Sequence, residues 1–71
     1  MIMVVSRNAK RLRYAARLTL REVAARGGMN LRQLQKIEAG EANIQMTTVA
    51  MLAVGLDVDA EELFREPEQK G

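Results

Sequence analysis

Residues Thr19 to Glu38, TLREVAARGGMNLRQLQKIE, read as two short helices joined by a tight turn. Leu20, Val23 and Ala24 recur at i, i+3 and i+4, which gives the first helix one apolar face. Thr19 and Glu22 have capping-box spacing, T-x-x-E, and start it. Gly27-Gly28 ends it, because glycine enters the left-handed backbone of such a turn without strain. Asn30 and Gln33 repeat the capping logic for a second helix, with an amide in place of a hydroxyl. In that helix Leu34 and Ile37 share one side, while Arg32, Gln35 and Lys36 share the other. A helix anchored by its apolar side and presenting cations and amides on the opposite side suits an anion with readable edges.

Working outward, Ser6 is a plausible N-cap for a helix over about 7–17, with Ala9, Leu12 and Ala16 at helical spacing. Residues 1–5 form a short apolar arm, read as packing against the body. Downstream, the pattern predicts a helix over about 46–55, with Val49, Leu52 and Ala53 facing a core and Met46 and Met51 filling it. Gly55 and Leu56 end that helix. Asp59 caps a last short one, with Glu62 completing D-x-x-E, and Leu63 and Phe64 close the core. The domain then spans 6–65, the paired helices occupy 19–38, and 66–71 is a polar tail expected to be disordered.

Seventy-one residues make one domain. Hydrophobic content is 48%, yet Tyr14 and Phe64 are the only aromatics, so the core is aliphatic. There is no cysteine, hence no disulfide or thiolate metal site, and no histidine to act as a general base. No apolar run approaches the ~20 residues of a membrane span. A cytoplasmic location, with no membrane partner, is expected. The net charge of +2 conceals a division. Residues 1–37 carry nine bases against one acid, a net of +8, whereas 38–71 carry two bases against eight acids, a net of −6. Such polarity turns one face towards a polyanion. Asp57, Asp59 and Glu61 resemble the start of a calcium loop but lack its glycine and its distal glutamate; capping and solvation explain them better.

The span Arg13 to Phe64 resembles the lambda-repressor/Cro type of helix-turn-helix domain, the XRE family. The resemblance rests on Arg13, Thr19, Val23-Ala24, Gly28, Leu34, Glu38-Ala39-Gly40, Ala53-Val54-Gly55-Leu56 and Leu63-Phe64, all in register without gaps. It implies an all-α, five-helix domain that lays residues 30–38 in the DNA major groove. It also implies an ion pair between Arg13 and Glu38 that holds the recognition helix in position. Four positions depart from the family, Ile44 standing where proline is common. Leu20 stands where a phosphate-binding glutamine is common, which removes one backbone contact. Gly27 replaces an apolar side chain, which suggests a looser turn. Glu41 makes a usually basic loop acidic.

The leading expectation is a sequence-specific transcriptional regulator that occupies double-stranded DNA. Leu31 packs on a thymine methyl, Arg32 takes guanine O6/N7, Gln33 reads adenine or a phosphate, and Lys36 a guanine or phosphate. Asn30, Arg7, Arg11, Arg17 and Asn43 are candidates for phosphate. Arg7, Arg11 and Arg17 are equally explained as solubilising charges, and Asn43 as a turn former. The expected working unit is a homodimer on an inverted repeat, its seam drawn from Val54, Val58 and Phe64, with Met51. A phage-type repressor, an antitoxin and a restriction–modification controller all fit this size. The alternative class is a protein-interaction module of the same fold, with a toxin or polymerase as partner and little DNA affinity; Leu20, Gly27 and Glu41 favour it. An enzyme is disfavoured, since Ser6, Thr19, Thr47 and Thr48 have no base in evident relation to them. No cofactor or metal is implied.

Overall fold

The computed structural model describes residues 2–66, apart from the Ile2 side chain. Five helices follow in order: α1 (Ile2–Ala15), α2 (Leu20–Gly27), α3 (Leu31–Glu38), α4 (Met46–Leu56) and α5 (Glu61–Phe64). The architecture is all-α. Most of the expected polar tail, 67–71, lies outside the described residues.

Three local signals shape the α2–α3 pair. The capping box at α2 is complete: Glu22 N donates to Thr19 Oγ1 at 3.1 Å, and Thr19 N donates to Glu22 Oε1 at 2.8 Å. Gly28 leaves α2 in the left-handed region, φ +69°, and its N–H reaches the Ala25 carbonyl at 3.3 Å. Asn30 then caps α3, its side chain accepting from Arg32 N at 2.7 Å. Gln33 is exposed and lies outside the described capping bonds.

The core is aliphatic. Leu34, Leu52 and Leu63 are fully buried, and Val5, Ala9, Val23, Ile37 and Val49 are nearly so. These side chains come from all five helices, so each helix contributes its apolar stripe to one centre.

Several expectations need correction. Residues 2–5 are the opening turn of α1, not an arm, because Val5 enters the core at the spacing set by Ala9 and Leu12. Ser6 therefore lies inside the helix, buried, and caps nothing at its own N-terminus. The helix also stops earlier than 17. Arg17 adopts φ +59°, and Leu18 N donates back to the Arg13 carbonyl at 3.1 Å. Gly55 does not end α4. It is buried within it, and Asp57 at φ +59° provides the left-handed cap. Met46 is 70% exposed and Met51 36%, so neither fills the core. Asp59 does not cap α5 by its side chain; its backbone carbonyl accepts from Glu62 N at 3.0 Å, and a tight i to i+3 turn replaces the expected box.

Gly27 also differs from its expected role. A methyl group there would land on the Met51 carbonyl oxygen. One on Gly55 would lie 2.5 Å from the Val23 carbonyl oxygen and 3.3 Å from the Gly27 nitrogen. The two glycines let α2 and α4 cross with their backbones touching. Gly27 therefore supports close packing rather than a loose turn.

Candidate nucleic-acid interface

α3 is amphipathic by position. Leu34 and Ile37 are buried, while Arg32, Gln33, Gln35 and Lys36 are exposed. At 100° per residue, Arg32, Gln35 and Lys36 share the outward side, and Leu31 and Gln33 flank it. Leu31 is half-buried and Asn30 exposed. The α3 residues expected to read bases thus form one continuous surface.

The C-terminal end of α3 is held by α1. Arg13 Nε lies 2.7 Å from Glu38 Oε2 and Arg13 Nη2 lies 2.9 Å from Glu38 Oε1, a bidentate pair. Arg13 Nη1 also donates to the Leu18 carbonyl at 3.1 Å. The two side chains are only 10% and 7% exposed. The hydrogen bond that Arg13 donates to Glu38 raises the Arg13 pKa above its already high ordinary value, so the guanidinium stays charged. Two parallel N–H···O bonds fix orientation as well as distance.

The remaining candidates are more dispersed. Arg7 and Arg11 are exposed on α1, and Lys10 and Tyr14 extend the same stripe at helical spacing. Arg11 Nη2 donates to Asn8 Oδ1 at 3.3 Å. Arg17 is exposed in the α1–α2 turn, and Asn43 is exposed in the α3–α4 loop. Away from α3, Met51 and Val54 are exposed on α4, and Val58 and Phe64 are half-buried against the core. Val54 and Val58 line an open depression of about 540 Å³ with Ala53, Asp57 and Asp59. Met51 and Phe64 lie outside that lining.

The helix-turn-helix family pattern matches residues 9–63. The chain belongs to the helix-turn-helix family. It is of the XRE type. Among solved structures, this helix-turn-helix protein is similar to the restriction–modification controller protein C.AhdI from Aeromonas hydrophila. The likeness has a TM-score of 0.83 at 25% sequence identity, covering 89% of this chain and 96% of that one. No curated protein matches it. The family and the fold together identify a DNA-binding transcription regulator. Among the described residues, no helix is long and apolar enough to cross a membrane.

Three polar residues take roles that the sequence alone does not assign. Ser6 Oγ donates to the Glu38 carbonyl at 3.0 Å. Asn8 is 1% exposed, and its Nδ2 donates to the carbonyls of Leu63 and Arg65 at 2.9 and 2.7 Å. Tyr14 is 62% exposed with the Arg13 guanidinium 4.6 Å from its ring centre. The only sequence signal for Ser6 and Asn8 is that polar residues fall on the stripe defined by Val5, Ala9 and Leu12.

Proposed function

We propose that this protein controls transcription by occupying an inverted-repeat operator as a homodimer. The observation that carries the reading is the exposed run Arg32, Gln33, Gln35 and Lys36 on a helix whose other side is locked into the core. Arg32 takes guanine O6/N7 in the major groove, Gln33 and Lys36 read the neighbouring bases or phosphate, and Leu31 packs on a thymine methyl. Asn30, Arg7, Arg11, Arg17 and Asn43 meet phosphate and set register. Arg13 and Glu38 hold the helix rather than read sequence.

One recognition helix covers only a few base pairs, so two copies one duplex turn apart, about 34 Å, supply the rest. The exposed apolar groups Val54 and Met51, with Val58 and Phe64 beside them, support a two-fold seam on the side carrying the acidic residues. The likeness to C.AhdI supports a controller of a restriction–modification system over a phage repressor or an antitoxin.

Selection of duplexes from a random pool tests this reading. Enrichment of a short inverted repeat is the expected result, with Arg32→Ala relaxing one position per half-site at a cost of about 1–3 kcal/mol there. If Arg32→Ala weakens every duplex equally, Arg32 is a phosphate contact. Sedimentation showing a monomer at tens of micromolar, with one copy bound per duplex, removes the dimer.

A further inference from the structure

We infer that Ser6 is a positioning residue for DNA recognition, setting the tilt of α3 through the backbone of Glu38. The role rests on the operator reading above and deepens it. An α-helix leaves its last four carbonyls without intrahelical partners. In α3, the Gln35 carbonyl accepts from Ala39 N at 3.1 Å, Lys36 from Glu41 N at 2.9 Å and Ile37 from Gly40 N at 3.0 Å. The fourth, on Glu38, is taken by Ser6 Oγ from α1 at 3.0 Å. Ser6 is 5% exposed, so removing its hydroxyl leaves that carbonyl with little water to replace it.

Arg13 and Ser6 grip the same residue in different ways. Arg13 holds the carboxylate, which is separated from the main chain by three rotatable bonds, so the helix end can shift while that pair stays intact. Ser6 holds the main chain itself. Contacts to base edges tolerate displacements of only about 0.5 Å. A hydroxyl fixed to the last turn therefore determines whether Arg32 and Lys36, on the far side of the same helix, reach their partners in register. Phosphate attraction is less directional and is insensitive to such a shift.

The test compares Ser6→Ala and Ser6→Cys with the unaltered chain. The probes are a duplex enriched from a random pool by the unaltered chain and a random-sequence duplex of equal length. Measurements are made where circular dichroism shows all three proteins fully folded. Ser6→Ala is expected to bind the selected duplex about fivefold to tenfold more weakly, the loss of one hydrogen bond, with random-duplex affinity unchanged. Ser6→Cys, which keeps the shape and a weak donor, falls between. Equal losses on both duplexes, or no loss on either, overturn the role. If the unaltered chain enriches no sequence, the operator reading itself fails and the role of Ser6 falls with it.

Discussion

The two helices of the DNA-binding unit are held to the rest of the fold by joints of opposite character. α2 meets α4 through Gly27 and Gly55, where backbone touches backbone and any side chain would intrude. α3 meets α1 through Arg13, Glu38 and Ser6, where an ion pair of long side chains, and a short hydroxyl, bridge the gap. The first joint is set by hard-sphere contact and has almost no directional chemistry. The second depends on charge and on hydrogen-bond direction. α2 is thus fixed by shape, whereas α3, besides burying Leu34 and Ile37, is tied by bonds whose geometry bears on its orientation.

The polar joint is expected to be the more costly to break. Glu38→Ala or Arg13→Ala leaves the survivor as a largely buried, uncompensated charge, and the expected loss is about 3–5 kcal/mol. For a domain of this size that is a large share of total stability. Urea unfolding gives the value, and a double-mutant cycle with coupling near zero would show the two charges to be independent. The glycine joint comes next. Gly55→Ala forces a methyl onto the Val23 carbonyl, for an overpacking cost of about 1–3 kcal/mol, partly offset by roughly 1 kcal/mol of helix propensity. Gly27→Ala presses the same crossing apart from the other side. The double variant should lose less than the sum, because the first methyl already separates the helices. A stabilised Gly55→Ala would remove the idea of backbone contact.

Smaller effects belong to the exposed start of α2, which rests on neither joint. Thr19→Ala is expected to cost about 1 kcal/mol in thermal unfolding, the usual value of a cap. Its acid response is smaller still. The Thr19 backbone N–H, and then its hydroxyl, hold the Glu22 carboxyl below the usual carboxylate range. A lowered folded-state pKa stabilises above the unfolded value, and that contribution disappears as pH falls through the folded one. Stability should therefore decline slightly more on acidification in the unaltered chain than in Glu22→Gln. Parallel curves from pH 6 to pH 3 would show that the charge of Glu22 contributes nothing to the cap.

The same contrast explains what could be read from sequence. Thr19, Glu22, Gly28 and Asn30 act within a few residues of themselves, and their spacing carries the message. The outward set Arg32, Gln35 and Lys36 follows from helical period alone. Gly27 and Gly55 carry no such message, because a glycine near a helix end looks like a terminator whether or not another backbone lies against it. Ser6 misleads for a related reason: a hydroxyl ahead of a helical pattern resembles a cap, yet its partner is 32 residues away. Asp59 fails as a side-chain cap because a short turn can close through its own carbonyl. Exposure of the outward α3 side chains is legible, whereas the bonds that hold the end of that helix depend on contacts between distant parts of the chain.

Asn8 joins the beginning of the fold to its end. Its amide binds carbonyls 55 and 57 residues further on, at Leu63 and Arg65. Among the described hydrogen bonds these span the longest stretch of chain, and the entropy of that closure must be overcome before the bonds contribute. The central hairpin of helices assembles through near neighbours and so has the topology of a fast-forming nucleus. The Asn8 latch is the natural last step of folding and the first step of opening. Loss of these bonds is then expected to loosen α5 from α1 before the Thr19–Glu38 helix pair opens.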